Sequence, residues 1–140
     1  MNRENRTVVI VATLDTKGEE AAYVRDHVAA WGLNTILIDP GILPAPTVEA
    51  DVSRERVAEA AGTTVEALLA RGDKAHAIAT QIEGLIHIVL ELHQARRLHG
   101  IVGLGGGQGT SIGTAAMRAL PIGVPKLMLS TVASGNFQFG

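Results

Sequence analysis

The chain has 140 residues and a mass of 14.6 kDa, one domain's worth of sequence and long enough to bury a core. Hydrophobic residues at 46% and charged residues at 19% describe a globular chain rather than a disordered one, and aromatics at 3% leave the core to Ala, Val, Ile and Leu. A formal net charge of −2 with no lysine/arginine-rich run gives no electrostatic case for a nucleic-acid partner, and the lack of cysteine removes disulfides, thiol nucleophiles and zinc-thiolate sites.

The first six residues are polar, and the apolar run after them is too short for a signal or membrane segment. A soluble, cytoplasmic protein with no membrane partner is the expectation. Thr7 to Thr13 is β-branched and apolar on both faces, as a central parallel strand should be. Thr16 and Glu19 then have the spacing of a capping box, which predicts a helix from about Lys17 to Trp31 ending at Gly32. Asn34 to Asp39 reads as a second strand, stopped by Pro40 and Gly41.

Residues 42–52 hold Pro44 and Pro46 and form a connection longer than most in α/β proteins, a candidate functional loop. Two short helices are predicted near Ser53 to Ala61 and Thr64 to Ala70, a departure from a minimal βαβ unit. Asp73 opens the longest periodic segment, to Leu98, with Ile78, Ile82, Leu85, Val89 and Leu92 on its core face and Gly100 as its stop. A strand over Ile101 to Leu104, a helix from Thr110 to about Leu120 and a strand over Val124 to Leu129 complete the pattern. With no hairpin signal, this order indicates α/β architecture: an open, mainly parallel, Rossmann-like sheet flanked by helices. The chain stops at Gly140 just beyond a strand, as an incomplete fragment of a larger protein would.

Between the third strand and its helix lie Gly105, Gly106, Gly107, Gln108 and Gly109, followed by Thr110 and Ser111. Glycines can turn successive backbone N–H groups toward one point, and a helix amino end adds free donors and partial positive charge, so the loop suits a phosphate. Neither G-x-G-x-x-G nor a P-loop lysine is present. A tight turn without a ligand is the plain alternative, but five glycines between Gly103 and Gly109 exceed what a turn needs.

Ligands of doubly wound sheets sit beyond the carboxyl ends of the strands. The four strand exits here, Thr13 to Gly18, Asp39 to Gly41, Gly105 to Thr110 and Ser130 to Asn136, are polar or glycine-rich. Lys17 can pair with a phosphate or be a solvated lysine, and Asp39 can accept from ribose hydroxyls or order its own turn. Asp15 can hold magnesium through water, act as a base, or order its turn, while Thr110 can donate to phosphate or cap a helix. Ser130 and Ser134 lie outside any G-x-S-x-G, which argues against a hydrolase triad, and no metal site follows from the histidine spacing.

Three of these loops together carry a resemblance. Thr13-Leu-Asp-Thr-Lys-Gly-Glu-Glu20, Gly105-Gly-Gly-Gln-Gly-Thr110 and Ser130-Thr-Val-Ala-Ser-Gly-Asn136 resemble the signature segments of the tomato mosaic virus resistance protein family, with its bacterial and fungal relatives. The resemblance implies an amino-terminal ATP-binding α/β domain, completed by a further segment and followed by a large carboxyl-terminal barrel-like domain that this chain lacks. The antiviral role of the plant member stays with that member. On this basis the nucleotide site is expected to draw on Thr13, Asp15, Thr16, Lys17, Asp39, Gly41, Gly105, Gly106, Gly107, Gln108, Gly109, Thr110, Ser130, Thr131, Ala133 and Ser134, with ATP, with or without Mg2+, as ligand. Homo-oligomers are expected. An enzyme of phosphorylated metabolites and a partner-binding module are the alternatives.

Overall fold

The computed structural model describes residues 6–42 and 45–131. Within them lie four strands, β1 (Thr7–Ala12), β2 (Asn34–Ile38), β3 (Gly100–Gly105) and β4 (Lys126–Ser130). Five helices accompany them: α1 (Leu14–Ala30), α2 (Arg54–Ala60), α3 (Val65–Arg71), α4 (Lys74–Gln94) and α5 (Gly107–Ala119). All strand pairs are parallel, in the order β2-β1-β3-β4. This is the open parallel sheet that the pattern predicts, and its strand order reverses between β1 and β3.

Alternation along the strands builds two layers of core. Val9, Val11 and Ile101 pack toward Leu85 and Val89 of α4 and Ile112 and Ala116 of α5. Ile10, Ala12 and Leu104 pack toward Leu14 and Ala21 of α1. Each fully buried aliphatic side chain stabilises the fold by about 1.5–3 kcal/mol, so the two apolar faces of β1 fix it at the centre. The segment after β2 returns along its outer edge, where Asp51 and Val52 N–H groups donate to the Leu37 carbonyl and the Asp51 carboxylate accepts from Leu37 N–H at 2.7 Å. That covers one sheet edge. On β4, Met128 packs into the core while Leu127 and Leu129, pointing to the α1 side, remain 53% and 44% exposed. Among the described residues no helix is long and apolar enough to cross a membrane.

Three helix ends differ from expectation by about a turn, each for a physical reason. α1 begins at Leu14 rather than Lys17, and no capping box forms: the Thr13 carbonyl accepts from Thr16 and Lys17 N–H, and Leu14 N–H is taken by Asp39. Lys17 instead marks a kink, with φ −118° and ψ 19°. α4 ends at Gln94, well before Gly100, because Arg96 adopts a left-handed φ of 60° and Arg97 N–H closes onto the Leu92 carbonyl at 2.8 Å. The freed chain lets His99 clasp Thr7, donating from its backbone and accepting at Nδ1, both at 2.9 Å. α5 begins at Gly107, so Thr110 is not its cap and half the expected glycine loop is helix.

Candidate functional site

The reversal between β1 and β3 opens a crevice beyond their carboxyl ends, the usual ligand position in such sheets. A cavity of about 790 Å³ lies there, within the size range of small-molecule sites. Thr13, Asp15 and Thr16 at the start of α1, Pro40 and Gly41 from the exit of β2, and Gly106 with Gly107, Gln108 and Gly109 of the α5 first turn form one side. The opposite wall comes from Ile42 and the elbow between α3 and α4, with Leu68, Leu69, Gly72, Asp73, Lys74, Ala77 and Ile78. One part of the lining is glycine, hydroxyl and carboxylate; the other is aliphatic apart from Gly72, Asp73 and Lys74.

The glycines divide into two kinds. Gly105 is needed by the fold, since a Cβ there would lie 2.4 Å from the Gly109 carbonyl carbon and 2.5 Å from Thr110 N. Its small size lets the end of β3 press against the first turn of α5. Gly107 is different: a Cβ would meet nothing within 4 Å, and its backbone is helical. At Gly106 the nearest atom to a Cβ would be Thr131 Oγ1, at an ordinary 3.7 Å. The α5 amino end has no side-chain cap and no acid in its first turn, so the N–H groups of its first residues have no intrahelical partner.

Beneath the cavity floor lies a buried polar network. Asp39, 1% exposed, accepts at Oδ1 from Leu14 N–H at 3.2 Å and Gly41 N–H at 2.9 Å. Its Oδ2 accepts from Arg54 Nε at 3.0 Å and Nη2 at 2.9 Å. Gln81 of α4, wholly buried, donates to the carbonyls of Gly41 and Arg54 at 3.3 and 3.2 Å. One carboxylate thus ties the two loops that line the cavity to α2. This corrects the expectation for Asp39: both of its oxygens are committed inside the protein, and it offers no acceptor to a ribose. Asp15 Oδ1 is buried without a hydrogen-bond partner among the described residues.

The expected site residues do not all meet. Lys17, Gly105, Ser130 and Thr131 line a separate hollow of about 250 Å³, with Glu20, Leu104 and Leu129. The hydroxyl of Thr110 donates to the Gly106 carbonyl and shares a 2.6 Å hydrogen bond with Ser130, so the pair fastens the start of α5 to the end of β4. Lys17, Ser130 and Thr131, expected to frame one site with the glycines, therefore line the small hollow and not the large cavity, and Lys17 lies at the kink in α1. Ala133 and Ser134 lie outside the described residues. Arg54, Gln81 and the α3–α4 elbow escaped the sequence reading, whose one pointer was the unusual length of the stretch between β2 and α4. Among the described residues no group of three or more histidine or acidic side chains could hold a metal ion.

The model of the uncharacterised protein family (UPF0261) N-terminal domain matches residues 6–139. The chain is 39% identical over 132 residues to a UPF0261 protein of Clostridium tetani, covering 94% of this chain and 33% of that one. A UPF0261 protein of Rhizobium meliloti is 43% identical over 131 residues, covering 94% and 32%. The ToMV susceptible protein tm-1(GCR26) of Solanum lycopersicum is 32% identical over 147 residues, covering 94% of this chain and 19% of that protein. The chain spans about a third of the length of the bacterial relatives. With the family model matched across nearly all of its residues, the chain belongs to the UPF0261 family, as its N-terminal domain.

Proposed function

We propose that this domain binds ATP, with or without Mg2+, in the large cavity, its phosphates seated on the first turn of α5 and its base against the aliphatic wall of the α3–α4 elbow. The observation that carries the reading is Gly107. Glycine is a poorer helix former than alanine, yet neither packing nor a positive φ asks for it here. Close approach of an anion to the backbone explains it, and the α5 amino end supplies free N–H groups and the positive end of the helix dipole. The resemblance of the three loops adds the adenosine nucleotide to what is otherwise a phosphate site. Calorimetry on the full-length protein tests this: ATP or ADP should bind, and equal failure of ATP, ADP and inorganic phosphate would reject the reading.

A second reading concerns association. β4 pairs with β3 alone among the described strands and carries Leu127 and Leu129 exposed on one face, a surface that favours pairing with another copy. Light scattering should detect a dimer or larger species that Leu127→Lys weakens, and a strictly monomeric wild-type protein at high concentration would refute it. A cytoplasmic location goes with ATP as ligand, and cell fractionation checks it.

A further inference from the structure

Resting on the phosphate reading above, we propose that Lys74 rather than Lys17 is the side chain that brings positive charge to the phosphates, from the first residue of α4. Lys74 is the one lysine or arginine among the described residues lining the large cavity, where it shares the lining with Gly106, Gly107 and Gln108. Lys17 lines the small hollow on the α1 side instead. A cation in one concavity does not touch a ligand in the other.

The fold does not require a lysine at position 74. It is exposed and makes no ion pair among the described residues. It opens a helix of 21 residues, where the aligned peptide dipoles disfavour a cation. α1, α2 and α3 each carry an acid in the first turn, as that dipole favours, whereas α4 and α5, whose amino ends both line the large cavity, do not. Asp73, which precedes Lys74, is committed to capping: its Oδ1 accepts from His76 N–H at 3.0 Å. A bound anion reverses the balance at this position. The Lys74 ammonium, the α4 amino end and the free N–H groups of the α5 first turn then act on one ligand, and the ammonium also offsets the repulsion between a phosphate and the Asp15 carboxylate in the same lining.

The test titrates ATP by calorimetry into full-length wild-type protein, Lys74→Gln, Lys74→Arg and Lys17→Gln at two salt concentrations, with thermal unfolding of each ligand-free protein. Lys74→Gln should weaken ATP by about tenfold or more, the scale of one charge-assisted contact, and flatten the salt dependence. Lys74→Arg should retain most of the affinity, Lys17→Gln should bind as wild type does, and ligand-free Lys74→Gln should unfold at the wild-type temperature or above it. Wild-type affinity in Lys74→Gln, or a loss carried by Lys17→Gln instead, overturns the proposal, as does early unfolding of ligand-free Lys74→Gln. A wild-type protein that binds none of ATP, ADP and inorganic phosphate overturns the phosphate reading and this inference together, whereas wild-type binding that Lys74→Gln leaves intact overturns this inference alone.

Discussion

Substituting Gly107 by alanine should push stability and binding in opposite directions. Because a Cβ at this position meets nothing within 4 Å and the backbone is already helical, the ligand-free variant loses no packing and gains about 0.4–1 kcal/mol from the reduced freedom of its unfolded chain. The added methyl projects beside the N–H groups that would hold a phosphate. An oxygen accepting from such a group lies about 2.9 Å from the nitrogen, too close for a methyl attached to the same turn to be ignored. Displacing one hydrogen bond to a charged group costs about 1.5–3 kcal/mol, an affinity loss of about ten- to a hundredfold. Denaturant unfolding of the ligand-free protein and calorimetric titration with ATP measure the two terms separately. A Gly107→Ala protein that binds ATP as tightly as wild type would refute the seating of phosphates on this turn, and one that is destabilised would refute the argument that the fold does not need this glycine.

Gly105→Ala should do the reverse and destabilise outright, because its Cβ would lie 2.4 and 2.5 Å from backbone atoms of Gly109 and Thr110; a lowered denaturation midpoint without ligand checks it. Gly41→Ala would set a methyl 2.9 Å from Asp39 Oδ1 and 3.0 Å from Arg54 Nη2, so it should lower both stability and ATP affinity, seen by thermal unfolding and calorimetry on one sample. Arg54→Met leaves the Asp39 carboxylate buried without its ion-pair partner and should cost about 3–5 kcal/mol, with Arg54→Met/Asp39→Asn less damaging than the single change when both are compared by denaturant unfolding.

The sheet was legible because its signals are local. Short apolar runs over Thr7 to Ala12 and Ile101 to Leu104 identify strands buried on both faces, and the helices between them leave parallel pairing as the available arrangement. Ser53 and Thr64 cap α2 and α3 through their own hydroxyls, as their residue types predict. Helix ends were misread where a distant bond or an unusual backbone angle decided them. The early start of α1 depends on Asp39, 25 positions away from Leu14, and the stop of α4 depends on Arg96 accepting a left-handed backbone that composition assigns to glycine or asparagine.

The site was harder to read because strand exits name a sheet edge but not a side of it. Thr13, Asp15, Thr16 and the α5 glycines reach the large cavity, while Lys17, one residue past Thr16, lines the small one after a local break in helical φ and ψ. The same ambiguity governs the acids. An aspartate closing β2 reads identically in sequence whether it faces a ligand or an arginine 15 positions further on. The choice is made by the chain that returns along β2, where Val52 bridges to Ile38 and its carbonyl accepts from Asp39 N–H at 3.0 Å. That return places the start of α2 beneath the cavity floor and brings Arg54 onto the carboxylate. With Asp39 spent on holding the loops, the charged side chains that line the cavity are Asp15 and, from the α3–α4 elbow, Asp73 and Lys74. The unusual length of the stretch between β2 and α4 is thus what a second wall requires, since the strand exits alone supply only one side of the cavity.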